Sequence, residues 1–93
     1  MPVALLGRHV LLNAEDYAVD LRIVSDGREW RLTGQILGPQ ARGQIALKDA
    51  SRVVHTSIDQ LGRFTLPAVP GGTYMLDVQL NDVEIDYNGL ELQ

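Results

Sequence analysis

From Tyr17 onward the chain alternates apolar and polar positions with the period of two that marks a strand with one face buried and the other in water. Tyr17, Val19, Leu21 and Ile23 fall on one side, and Ala18, Asp20, Arg22 and Val24 on the other. Ser25-Asp26-Gly27 reads as a turn. Beyond it, Trp30, Leu32, Gly34 and Ile36 alternate with Arg31, Thr33 and Gln35, so the two runs predict a hairpin. Residues 38–43 form a loop. Residues 44–48 are a short strand with Ile45 and Leu47 on one side, and Asp49-Ala50-Ser51 turns it into the β-branched run 52–58. Asp59-Gln60-Leu61-Gly62 predicts a tight turn into residues 63–66, and residues 67–72 are expected to lack regular structure. Tyr74, Leu76, Val78 and Leu80 then alternate with Met75, Asp77 and Gln79 in the cleanest strand of the chain. Asn81-Asp82 turns, and residues 83–92 supply a last strand broken near Asn88-Gly89.

No window of eleven or more residues carries a helical apolar stripe. About seven short strands with turn signals every 8–12 residues predict an all-β fold, an antiparallel Greek-key sandwich. Residues 1–93 are read as one domain: an N-terminal extension or extra strand over 1–16, and the sandwich core over 17–93. The extension is ambiguous between helix and strand, because Leu5, Leu6, Val10 and Leu12 fit neither period cleanly.

Three ordered segments carry a likeness to a known family. They are Arg31-Leu32-Thr33-Gly34-Gln35-Ile36-Leu37, Asp59-Gln60-Leu61-Gly62-Arg63-Phe64-Thr65-Leu66 and Val69-Pro70-Gly71-Gly72-Thr73-Tyr74-Met75-Leu76-Asp77-Val78. Together they resemble the carboxypeptidase regulatory-like family of prealbumin-type (transthyretin-like) sandwiches. The likeness covers about half the chain. It departs from the usual pattern at Gly71, where a second proline is common, and in the loop 38–43. Each segment also has its own physical reading. Gly62 supplies a left-handed turn position that delivers Phe64 inward. Gly34 yields space to a bulky neighbour, with Trp30 and Tyr74 the candidates. Tyr74 is expected to bury its ring while its hydroxyl finds a backbone acceptor, in the manner of a tyrosine corner.

Composition narrows the chemistry. The chain has no cysteine, which removes disulfides, thiolate metal sites and thiol nucleophiles. Twelve acids against eight bases give a net charge of −4, which opposes nucleic acid as a partner and gives no reason to dock on an anionic membrane. No stretch approaches the ~20 apolar residues of a membrane-spanning helix. The apolar start lacks the charge and cleavage site of an export signal, so a cytoplasmic address is expected if the chain is complete. Of the two histidines, His55 shares a strand face with Ser57, but no orienting acid accompanies the pair. The sole lysine, Lys48, lies in a middle strand. No enzyme activity and no cofactor are expected.

The acidic end is the one concentrated charge feature. Asp82, Glu84 and Asp86 alternate, so their carboxylates share a strand face, and calcium takes six to eight oxygens of this kind. We read the row as solvated charge that deters edge pairing, with these three residues as calcium ligands in the contrary case. Arg22 and Arg31, taken as cross-strand neighbours, and Tyr87 form a candidate partner surface, while Trp30 is assigned to the core.

The functional expectation is a non-catalytic interaction or accessory module that binds a protein partner, or a second copy of itself, through a sheet edge. The resemblance implies an accessory role beside enzymes, receptors or bacterial regulators of transcription, the last in an anti-sigma-like setting. The alternative is a carbohydrate- or small-ligand-binding accessory domain. Its weakness is that Phe64, Tyr74 and Trp30 leave only Tyr17 and Tyr87 as surface aromatics.

Overall fold

A computed structural model describes residues 7–39, 42–81 and 83–93. Nine strands follow one another: β1 (Gly7–Ala14), β2 (Tyr17–Asp26), β3 (Glu29–Leu37), β4 (Gly43–Lys48), β5 (Val53–Ser57), β6 (Arg63–Thr65), β7 (Val69–Pro70), β8 (Gly72–Leu80) and β9 (Glu84–Leu92). They form two antiparallel sheets, and among the described residues there is no helix. The first sheet runs β1-β2-β3-β6, with β7 also on β3; the second runs β5-β4-β8-β9. The chain leaves β3 for the hairpin β4-β5 in the opposite sheet and returns as β6 beside β3, which is the Greek-key manner. The shortest dimension, 20 Å, suits two sheets about 10 Å apart with their outer side chains.

The alternation does place the core. Val19, Leu21, Ile23, Leu32 and Ile36 of the first sheet meet Ile45, Leu47, Tyr74, Leu76 and Val78 of the second, all buried. The chemistry of the turns is local. The Asp49 carboxylate accepts from the Ser51 and Arg52 amides at 2.9 and 2.8 Å. The Asp59 carboxylate accepts from the Leu61 and Arg63 amides at 2.8 and 2.9 Å. Gly62, at φ 80°, closes the second of these and sends Phe64 into the core. Tyr74 is buried and its hydroxyl donates to the Pro70 carbonyl at 2.7 Å, the corner expected for it.

Several details differ from the pattern-based reading. Among the described residues the strands number nine rather than about seven. Residues 7–14 of the N-terminal extension form β1, which pairs with β2 without interruption from Gly7↔Val24 to Ala14↔Tyr17. The segment 67–72, expected to be irregular, contains β7, whose two residues pair with Glu29 and Trp30. Proline is tolerated there because this strand lies at the sheet's edge and its missing N–H can face away from the ladder. The neighbours that demand glycine at position 34 are the Asp20 carbonyl and Phe64 rather than Trp30 or Tyr74. The β3–β6 register sets Gly34 opposite Phe64, and a Cβ would lie 2.8 Å from the ring and 2.1 Å from the Asp20 carbonyl oxygen. Trp30 is only partly buried, packed against the core's margin.

Candidate functional site

Surface chemistry concentrates in an acidic cluster on β8 and β9 and along the edge strand β1. The Arg8 guanidinium reaches across from β1 to donate to the Glu91 carbonyl of β9, so the two edge strands come together there.

On the second sheet, the register lines up residues of the outer face in rows across the strands. One row reads His55, Ala46, Asp77, Asp86, and the next reads Ser57, Gln44, Gln79, Glu84. Asp77 therefore faces Asp86 directly and Glu84 diagonally. Like charges in that relation destabilise a strand pair. Carboxylate oxygens of Asp77, Glu84 and Asp86 all lie within 4.8 Å of one another. Although it belongs to the outer face, Asp77 is only 3% exposed, because β8 is an interior strand and long side chains close over it. Lys48 Nζ donates to its Oδ2 at 3.1 Å, and Gln79 Nε2 donates to the same atom at 3.2 Å. Its Oδ1 is buried without any hydrogen-bond partner.

Titration follows from that crowding. Burial pushes Asp77 up, but the carboxyls of Asp86 and Glu84, each a donor to it when protonated, and the Lys48 ammonium outweigh burial and hold the carboxyl below its ordinary value. Holding a proton that Asp77 can accept, and facing the Asp77 charge, raises Glu84 and Asp86 above theirs. Next to the cluster a shallow hollow of about 200 Å³ lies over Ala46, walled by Gln44, Lys48, Val53, His55, Asp77 and Gln79.

Of the expected calcium set, Glu84 and Asp86 do come together, and Asp82 lies outside the described residues. Asp77, read from the pattern as one more outward polar residue, stands with them. The signal was available: a hairpin folded about Asn81-Asp82 sets Asp77 opposite Asp86 by counting alone.

The expected partner surface is divided. Arg22 and Arg31 both occupy the outer face of the first sheet, but Arg22 faces Thr33 and Arg31 faces Val24, so the arginines are diagonal rather than directly opposed. Arg22 instead shares an open hollow of about 400 Å³ with Asp20, Thr33, Gln35, Arg63 and Thr65. Tyr87 stands in the other sheet, on β9, 38% exposed. His55 and Ser57 share the outer face of β5 without a hydrogen bond between them, and His9 pairs with Asp20 across β1 and β2.

The edges themselves are unlike. Along the β8–β9 pair the register slips between Tyr74 and Leu76, so Met75 faces the pair Asn88-Gly89. Gly89 sits at φ 75°, the form of bulge that glycine permits. β1 has no such break. Its segment 10–14 is uncharged, and Leu11 is 56% exposed on the outer face. No described strand pairs with the far side of either edge. Among the described residues no helix is long and apolar enough to cross a membrane. Comparison with known proteins yields no match, whether to a family model, to a curated protein or to a solved structure.

Proposed function

We propose that this chain is a non-catalytic interaction module that binds an extended segment of a protein partner, or a second copy of itself, along β1. The observation that carries the reading is the straight, unbulged run of β1 with Leu11 exposed beside its open side. An added strand would gain main-chain hydrogen bonds along the edge, and its side chains would pack against Leu11 in the cross-strand position. The resemblance to carboxypeptidase regulatory-like modules supports an accessory role of this kind. A bacterial, cytoplasmic, anti-sigma-like setting is the context that resemblance suggests, and it rests on analogy. The carbohydrate alternative lacks a platform, since among the five aromatics only Tyr87 is exposed.

The test compares the wild-type chain with Leu11→Lys and Tyr87→Ser as baits in extract of the native host. The expected result is a partner, or a self-dimer by light scattering, that is lost with Leu11→Lys and kept with Tyr87→Ser. Hydrogen exchange of the complex should slow amides within 7–14. A footprint elsewhere on the molecule would overturn the assignment.

A further inference from the structure

We propose that Asp77, Glu84 and Asp86 bind one hard divalent cation of the calcium class on the outer face of the second sheet. This goes beyond the interaction role of β1 and does not depend on it. Three observations converge. The first is geometric: three carboxylate oxygens lie within 4.8 Å of one another. Calcium–oxygen distances of about 2.3–2.6 Å make opposite ligands of a calcium shell roughly 4.6–5.2 Å apart, whereas a magnesium shell spans only about 4.2 Å. The second is an unmet need. Asp77 is 3% exposed, and its Oδ1 is buried with no donor, although both donors in reach, Lys48 and Gln79, bond to Oδ2. A buried acceptor left in that state is costly, and more so when charged. With the carboxylates of Glu84 and Asp86 beside Asp77, the cluster calls for either a cation or a shared proton. The third is charge: three carboxylates against the one ammonium of Lys48 leave a local excess of two negative charges, which a divalent ion neutralises.

The donor set also selects the metal. All three ligands are hard oxygens, and His55 lies two strands away behind Ala46, so nothing favours a softer transition metal. Glu84 and Asp86 are exposed, which leaves the outer half of the coordination sphere to water. Lys48 opposes the cation while it holds Oδ2. The site therefore belongs with weak calcium modules, with a Kd on the order of 10⁻⁴ to 10⁻³ M. Binding would tie β8 to β9 and remove the repulsion of the Asp77–Asp86 pair.

The experiment uses the full chain in chelator, then in CaCl2, in MgCl2 and in NaCl of matched ionic strength. Melting temperature and amide chemical shifts are recorded for the wild type and Asp86→Asn. With about 10 mM CaCl2 the wild type should gain several degrees, since a ligand that binds only the folded state stabilises it. The shifted amides should centre on residues 77, 84 and 86, with a much smaller response to magnesium and none to sodium. Asp86→Asn should lose the calcium response while melting no lower than wild type in chelator, because the substitution itself relieves repulsion. A wild type unmoved by calcium would overturn the site and leave the shared proton as the occupant. A full calcium response retained by Asp86→Asn would overturn it equally.

Discussion

β1 and β9 are the two long edges of one sandwich, on the same flank, and they are built on opposite plans. β9 carries Glu84, Asp86 and Glu91, breaks its own register at Asn88-Gly89, and has its Glu91 carbonyl occupied by Arg8. Charge, bulge and a covering side chain are the usual devices that keep an edge from pairing with another chain. β1 has eight residues in unbroken register, and its basic groups are confined to Arg8 and His9 at one end. Among the described residues the same fold therefore closes one edge and leaves its neighbour open. An edge without these protections is a liability unless something uses it, and that contrast is what supports β1 as the docking strand.

The largest effect expected is a control that spares neither edge. Gly34 sits in the middle of β3, where a Cβ would meet the Asp20 carbonyl at 2.1 Å and the Phe64 ring at 2.8 Å. Backbone cannot yield as a side-chain tip can, so Gly34→Ala should lose more than about 3 kcal/mol in urea unfolding. Exchange should rise in β1 and β9 alike. If only one strand loosened, the two sheets would not be a single cooperative unit.

Smaller effects separate the edges through two left-handed residues. Gly89 holds φ 75°, and a methyl group added there would meet nothing within 4 Å, so Gly89→Ala adds backbone strain alone, about 1–2 kcal/mol. In the turn between β1 and β2, Glu15 holds φ 55° without glycine's freedom. Glu15→Asn should stabilise by up to about 1 kcal/mol, since asparagine accepts that conformation more readily. Opposite signs for the two substitutions, read from the same denaturation midpoint, would show that the bulge in β9 is fitted to its residue while the β1 turn is not.

Acid titration in chelator probes the β8–β9 pair. Glu84 and Asp86 are raised above 4.5 and 3.8, so their ionised forms weaken the fold as pH rises above those values. Asp77 is lowered, so its contribution is present above 3.8 and is lost as pH falls through its folded value. Stability in chelator should thus rise as pH drops from neutrality toward the ordinary carboxylate range, then fall below it. Lys48 bonds Asp77 from β4 and His55 lies in the row of Asp77 on β5, so the comparison must be with Glu84→Gln/Asp86→Asn, in which the rise should vanish. A rise that persisted in the double variant would assign it to other groups.

What the pattern of residues revealed, and what it hid, divides along the same line. Central strands were legible because both neighbours bury one face: β2, β3, β4 and β8 alternate cleanly, and Asp49, Asp59 and Gly62 announce their turns within a few residues. β1 was ambiguous for a physical reason. Its inward positions Val10 and Leu12 are preceded by Arg8, and its outward positions include Leu11, so the alternation is blurred at an edge where neither face is fully determined. Phe64 over Gly34 depends on which strands pair at a separation of thirty residues, which no local pattern encodes. Burial of Asp77 likewise arises from Lys48 on another strand folding over it.

The smallest stability effect decides most about β1. Leu11 is 56% exposed and points away from the core, so Leu11→Lys should change the unfolding free energy by no more than about 0.5 kcal/mol. If the edge is a docking strand, that nearly silent substitution should still abolish association, because lysine on an edge opposes strand addition. A core position would behave in the reverse way, with large loss of stability and any loss of binding secondary to it. A Leu11→Lys chain that was both as stable as wild type and fully competent to associate would remove the distinction between β1 and β9. The open edge would then be an unguarded surface without a use, and the search for the partner-binding face would move to the hollow beside Arg22 and Arg63.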